Sequence, residues 1–372
     1  MRAYLLLEDG TIFEGRGFGA EGIAFGEVVF TTAMVGYPES LTDPSYRGQI
    51  LVMTYPLIGN YGVPAKEIRE NGIPLHYESD KIQVEGFVIS RLTRPSHWAS
   101  EMSLDGWLRR EGVPGIEGVD TRALVKRIRE RGVMMGALVV GDHGEDVGDV
   151  LERVRRLSYD GVNFVEKVTP GETIIHEPKR ADKTVVLVDC GVKYGILREL
   201  LRRNFRVVRI PYTHDPVRAL EEFNADAVFL SNGPGNPALL KNLVEKARAL
   251  IEYGIPTMGV CLGSQILALA DGAEIYKLKY GHRGTNKPVK DLKTGKAFVT
   301  TQNHGYAVKA ESLNEFEVWM INLDDKSVEG IYHPKKPIIA TQFHPEASPG
   351  SLDSTWVFDL FEKLIKGDAH GF

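Results

Sequence analysis

The chain has 372 residues, of which 43% are hydrophobic and 26% charged, with a formal net charge of −5. That length allows two or three domains, and so small a net charge gives no reason to expect a nucleic-acid partner. Two cysteines, Cys190 and Cys261, cannot build a disulfide framework or a Cys-rich zinc site, which points to a reducing compartment. The opening apolar run is too short for a signal peptide. The most apolar stretch, 255–270, is interrupted by Pro256, glycines, a serine and a glutamine, so no membrane span is expected. The first half is rich in short β-like runs bounded by Gly, Pro or Asp, at 4–7, 28–32, 50–55 and 84–89. A helix is predicted over 120–131, capped by Asp120, with Ala123, Leu124 and Ile128 as its apolar stripe and Gly132 past its end. Another is predicted over 146–157.

Between 158 and 183 the apolar pattern fades into Pro-, Gly- and charge-rich sequence, read as a polar linker. This divides the chain into 1–157, a linker 158–183, and 184–372. Beyond it, strands and helices alternate. Strands are predicted at 184–189, 206–210, 227–230 and 257–260, with helices at 196–203, 217–223 and 237–253. The alternation predicts a doubly wound, mostly parallel sheet, preceded by a β-rich α/β domain. Ligands of such sheets sit beyond the carboxyl ends of the strands.

The residues with chemical potential fall at those ends. Gly259-Val-Cys261-Leu-Gly263-Ser-Gln265 follows a predicted strand and opens a predicted helix, 264–270. This is the nucleophile-elbow spacing with Cys in the reactive position. The helix N-terminus favours a thiolate there, and the Leu262 N–H points where an oxyanion would form. A buried structural cysteine is the bland alternative. Gln342-Phe-His344-Pro-Glu346 follows the predicted strand 338–341. Residues two apart on extended chain share a face, so His344 and Glu346 can meet as base and orienting carboxylate for a Cys nucleophile. Taken alone, His-Pro-Glu reads more simply as a surface turn. Leu230-Ser-Asn-Gly233-Pro-Gly235-Asn-Pro237 brings backbone N–H groups to another strand end, with Asn236 placed as a helix cap. Thr301-Gln-Asn303-His304-Gly305-Tyr306 follows the predicted strand 297–300. His304 is not favoured as a base, because no carboxylate stands at a matching spacing.

These motifs resemble the class I (triad) glutamine amidotransferases. Over nearly its whole length the chain is similar to the family of small, glutaminase subunits of carbamoyl-phosphate synthetase. The narrower resemblance rests on Leu7-Glu-Asp-Gly-Thr11, Gly26-Glu-Val-Val-Phe-Thr-Thr32, Met34-Val-Gly-Tyr37, Leu41-Thr-Asp-Pro-Ser-Tyr46, Tyr55-Pro-Leu-Ile-Gly-Asn60, Val119-Asp-Thr-Arg122, Gln302-Asn-His-Gly305 and Pro345-Glu-Ala-Ser-Pro-Gly350. It implies a flavodoxin-like C-terminal fold and a cytoplasmic, glutamine-hydrolysing subunit. Ammonia would pass to an ATP- and bicarbonate-using large subunit that makes carbamoyl phosphate for arginine and pyrimidine synthesis. Cys261, His344 and Glu346 would be catalytic, with Gly233 and Leu262 as oxyanion donors. Ser45, Gly233, Gly235, Leu262, Gln265, Asn303, Gly305 and Tyr306 would bind L-glutamine, and Ser45 would do so from the N-terminal domain, which would also dock the partner. No cofactor is expected on this chain, with ATP and Mg on the large subunit. Ser264 stands where many relatives have His, and Tyr306 where Phe is common.

Other signals are set aside. Gly17-Phe-Gly19-Ala-Glu-Gly22 fits a dinucleotide fingerprint, but strand-like sequence follows where a helix is required. No phosphate-binding P-loop pattern exists. The ten histidines include no metal-binding pair at helix spacing, so no metal is expected. Cys190 reads as a small core or turn residue, and the basic cluster 198–206 as a solvated helix face. Rival readings are a glutaminase serving another synthetase, such as those for anthranilate or GMP, a thiol peptidase, and a silent regulatory subunit.

Overall fold

A computed structural model describes residues 1–368. The chain forms two compact units. One comprises Met1–Arg69 and Pro74–Val162; the other gathers Glu70–Ile73 and the residues from Asn163 onward.

The first unit is a closed barrel of β1 (Arg2–Leu7), β2 (Ile12–Gly19), β3 (Gly22–Thr31), β4 (Gln49–Met53), β5 (Gly86–Ile89), β6 (Pro114–Glu117) and β7 (Met134–Val140). The strands close in the order β1-β7-β3-β4-β5-β6-β2, which leaves the barrel without an unpaired edge. The run β3–β4–β5–β6 is parallel and the other neighbours antiparallel. Strand β4 is buried along its whole length, as its unbroken apolar run requires. Besides the short helix Tyr37–Thr42, the helices are α1 (Leu104–Glu111), α2 (Thr121–Arg131) and α3 (Val147–Arg156). Asp120 caps α2 by accepting the Ala123 N–H at 2.9 Å, and Asp146 caps α3. Leu124 and Ile128 supply the buried stripe of α2, while Ala123 faces solvent. The glycines of the dinucleotide-like run lie across the β2–β3 hairpin, with no helix after them.

The second unit carries a ten-stranded sheet. Its strands are β8 (Ile174–His176), β9 (Lys183–Asp189), β10 (Phe205–Pro211), β11 (Ala227–Leu230), β12 (Thr257–Val260), β13 (Ile275–Asp291), β14 (Ala297–Val308), β15 (Glu317–Asn322), β16 (Val328–Tyr332) and β17 (Ile338–Thr341). Their order is β8-β10-β9-β11-β12-β17-β16-β15-β13-β14. From β10 to β17 the neighbours are parallel; β8 and the series β16 to β14 are antiparallel. Helices α4 (Tyr194–Arg202), α5 (Pro216–Glu222), α6 (Lys241–Tyr253), α7 (Leu262–Ala270) and α8 (Trp356–Lys366) complete the unit. Two apolar cores flank the sheet. One is built on Phe205, Phe229, Phe358 and Phe361, the other on Leu220, Leu243, Leu250, Ile266 and Leu267.

The structure corrects several expectations. The stretch read as a polar linker holds β8, which adds an edge to the sheet by pairing with β10. The helix predicted over 237–253 is a 3-10 turn, Pro237–Leu239, and then α6. Asn236 caps the short turn, and the backbone leaves helical geometry at Leu240. Arg198 of the basic cluster is not a solvated residue: α4 is buried nearly all round, and Arg198 and Glu199 are both inside. The sequence around 301–306 does not follow a strand but lies within β14, against register shifts in β13. No helix among the described residues is long and apolar enough to cross a membrane.

Candidate active site

The site grows from the turn between β12 and α7. Cys261 occupies the cap of α7 with φ 53° and ψ −103°, a backbone region that costs a non-glycine residue about 1–3 kcal/mol. Its neighbours explain how the turn is held. A Cβ on Gly263 would stand 2.1 Å from the Leu230 carbonyl oxygen, and one on Gly259 would stand 2.8 Å from the Gly263 backbone. Only glycine at both positions lets β12, α7 and the end of β11 approach this closely. Cys261 N–H donates to the Thr341 carbonyl at 2.8 Å, which ties the elbow to the end of β17. The helix begins at Leu262, two residues earlier than its sequence suggests, because the cysteine itself takes the cap position.

The chain leaving β17 supplies the next two groups. His344 is fully buried and Glu346 nearly so. Their rings and carboxylate meet at 2.6 Å between His344 Nδ1 and Glu346 Oε1. The His344 backbone bridges to Thr301 of β14, so strand pairing fixes the ring's position. Its Nε2 makes no hydrogen bond among the described residues. The Cys261 Sγ lies 3.7 Å from the Asn303 carbonyl oxygen. Burial lowers the affinity of His344 for a proton and the Lys193 charge lowers it further, but the Glu346 charge outweighs both. The net effect favours imidazolium. Burial pushes Glu346 up, yet Lys193 and His344 together hold its carboxyl well below the usual range.

Nothing in the local sequence singles out Lys193. Its ammonium is 2% exposed, pairs with Glu346 Oε1 at 3.1 Å and donates to the Ala347 carbonyl at 2.7 Å. It occupies the N-cap position of α4, just beyond the carboxyl end of β9, where the fold places functional groups. That location was the available signal. A loop network holds it: Lys193 N–H donates to Asn232 Oδ1 at 3.0 Å, Cys190 N–H to Ser231 Oγ at 2.9 Å, and Gly191 and Val192 to Asp189 Oδ1 at 2.7 Å each. Cys190 is buried, and burial raises its thiol pKa far above the ordinary value, so it is a structural residue.

The structure brings most of the remaining predicted residues to the same place. A Cβ on Gly233 would meet Leu262 Cδ2 at 2.7 Å and the Cys190 carbonyl at 2.2 Å, so Gly233 packs against the side chain of Leu262. Gly235 follows with φ 89°. Gln265 is buried, and its Nε2 donates to the Tyr306 carbonyl at 3.2 Å and to Gln342 Oε1 at 3.0 Å. Asn303, Gly305 and Tyr306 sit on β14, with the Asn303 carbonyl beside the thiol. Ser45 belongs to the first unit, buried in the turn Pro44–Tyr46, where its N–H donates to Asp43 Oδ1 at 2.9 Å. His304 faces a carboxylate after all: Glu329 of β16 lies 3.4 Å from its Nε2, a partner no local spacing reveals.

With this geometry in view, comparison with known proteins gives a consistent result. Residues 5–138 match the family described as carbamoyl-phosphate synthase small chain, CPSase domain. Residues 186–364 match glutamine amidotransferase class-I. A carbamoyl phosphate synthase small chain of Pyrococcus furiosus is 65% identical over 98% of both chains. The chain belongs to the carbamoyl-phosphate synthase small chain family. Members from Sulfolobus acidocaldarius and Sulfurisphaera tokodaii are 53% and 51% identical over 98% and 99% of this chain, covering 97% and 98% of their own. The family's amidotransferase domain is the ten-stranded unit that holds the elbow, and its small-chain domain is the barrel. Family membership makes the chain the glutamine amidotransferase component of a ligase.

Proposed function

We propose that this chain hydrolyses L-glutamine with a Cys261–His344–Glu346 triad and delivers the ammonia to a carbamoyl-phosphate synthase large subunit. The observation that carries the reading is the strained elbow at Cys261 standing with the 2.6 Å His344–Glu346 bond. In this mechanism the Cys261 thiolate attacks the side-chain amide carbon. The Gly233 and Leu262 N–H groups stabilise the oxyanion. His344 gives its proton to the departing nitrogen, and a glutamyl thioester forms as ammonia leaves. His344 then takes a proton from water, which attacks the thioester and releases glutamate. Glu346 keeps the ring oriented, and Lys193 keeps Glu346 ionised. Gly235, Gln265, Asn303, Gly305 and Tyr306 line the glutamine site.

In water at neutral pH ammonia is mostly protonated and a poor nucleophile, which favours direct transfer to the partner. ATP, Mg and bicarbonate chemistry belongs to that partner, and the pair works in the cytoplasm. The test is ammonia release from glutamine by the purified chain, alone and with a large subunit, beside Cys261→Ser. Release that needs Cys261 and rises with the partner is expected. No release from a folded chain in a formed complex would overturn the reading. In the complex, Cys261→Ser should abolish glutamine-dependent synthesis and spare synthesis from added ammonia; loss of both would overturn the transfer step.

A further inference from the structure

Behind Asn303 and Tyr306 lies a second group of titratable side chains that the glutaminase mechanism does not use. His282 of β13, His304 of β14 and Glu329 of β16 are all buried, and one ligating atom from each lies within 4.8 Å of the others. His304 Nε2 stands 3.4 Å, and His282 Nδ1 3.5 Å, from Glu329 Oε1. The far nitrogen of each ring is already committed. His282 Nε2 is 2.9 Å from Asp325 Oδ2, and His304 Nδ1 is 2.9 Å from the Tyr306 carbonyl oxygen. Both partners are acceptors, so those nitrogens carry the ring hydrogens. In neutral rings, His282 Nδ1 and His304 Nε2 are then lone pairs turned on a carboxylate.

Acceptors alone do not hold one another. Asn322 Nδ2 approaches His282 Nδ1 and Glu329 Oε1 at 3.3 Å each and Gln302 Oε1 at 3.2 Å. One amide nitrogen thus spreads two hydrogens over three acceptors at long distance. His304 Nε2 and Glu329 Oε2 have no hydrogen-bond partner among the described residues. A cation at the centre of these atoms resolves the conflict.

We propose that His282 Nδ1, His304 Nε2 and the Glu329 carboxylate form a binding site for a divalent transition metal of the zinc class. Donors about 2.0–2.1 Å from a tetrahedral ion stand roughly 3.3–3.4 Å apart, close to the two separations to Glu329. The two imidazoles and one Glu329 oxygen supply three donors, and a water would take the fourth tetrahedral position. The outer contacts also fit: a metal-bound imidazole characteristically gives its other N–H to a carboxylate or backbone carbonyl, as Asp325 and Tyr306 provide. The ion would bolt three antiparallel strands together behind the wall that bears Asn303, Gly305 and Tyr306. Because the donors are buried, loading accompanies folding.

The experiment uses the full chain without a histidine tag. It is unfolded with chelator and refolded with zinc, with cobalt(II) or with neither, beside Glu329→Gln and His282→Gln. The expected result is one tightly held metal per parent chain, with the absorption of tetrahedral cobalt, and a melting temperature raised by metal in the parent alone. Each variant should bind about a hundredfold more weakly or not at all. A parent that refolds without taking up metal overturns the proposal and leaves an extra proton on one imidazole as the bridging charge. Equal uptake by parent and variants also overturns it, because the metal then sits elsewhere.

Discussion

The two units bury polar side chains to different ends. In the barrel unit, the buried carboxylates Glu27 and Glu117 find partners on neighbouring strands, and the buried polar atoms left over include scattered single amide oxygens such as Gln49 Oε1 and Gln83 Oε1. Gln49 Nε2 donates to Glu27 Oε2 at 2.9 Å between adjacent strands, and Arg16 pairs with Glu117 across β2 and β6. In the ten-stranded unit, buried charge collects at strand ends and leaves atoms unused. His344 Nε2, Glu346 Oε2 and His304 Nε2 are all without a hydrogen-bond partner among the described residues. A finished network stabilises, whereas an unfinished one aimed at a nucleophile is available for chemistry. The contrast teaches where to look for function: at buried titratable groups gathered at strand ends, and not at single amide oxygens that folding leaves over.

Four substitutions break or sharpen that contrast. The largest effect is expected from Cys261→Ala, which should cut glutamine hydrolysis by about four orders of magnitude or more with little change in melting temperature. Steady-state ammonia release and calorimetry check this together. Lys193→Met should follow, because it strips a buried carboxylate of its partner, a loss of about 3–5 kcal/mol. Its pH signature is more telling. The carboxyl of Glu346 is lowered in the folded chain, so its stabilisation is complete above the ordinary carboxylate range and is lost as pH falls through the lowered value. Without Lys193 that value climbs, so acid unfolding should begin at a higher pH than in the parent. His344 is raised in the folded chain, so its own contribution is complete below the ordinary imidazole range and fades as pH rises. Removing Lys193 raises His344 further and moves that alkaline loss upward. Denaturant melts across pH distinguish these shifts from a uniform loss of packing.

Gly263→Ala is expected to cost about 3 kcal/mol by overpacking against the Leu230 carbonyl, and to lower kcat through a displaced elbow. The smallest effect belongs to the barrel. Glu27→Gln should cost about 1 kcal/mol and leave the kcat for ammonia release unchanged. A large fall in kcat there would dissolve the distinction between the two units.

Much of this was legible in the sequence, for definite reasons. The elbow is visible because its glycines and thiol are contiguous, and each glycine answers to one steric contact. His344 and Glu346 are visible because they are two positions apart. Lys193 is not, since its carbonyl partner is 154 positions away and a lysine after a strand has no local signature. The Glu329–His304 approach is equally hidden, because it depends on strands brought together by the order β16-β15-β13-β14. The basic cluster misled for a related reason: charge in the sequence gives no sign of Asp359, which comes from α8 to pair with Arg203.

The left-handed backbone at Cys261 has a consequence for how such a protein changes over generations. The turn is dictated by its neighbours, chiefly the contacts of Gly259 and Gly263, and not by sulfur. Glycine would occupy this conformation without the penalty that cysteine bears. Stability alone would therefore reward the loss of the thiol, and a lineage released from using glutamine would drift toward a sturdier chain of the same shape. The nucleophile persists only where selection for its product outweighs that gain.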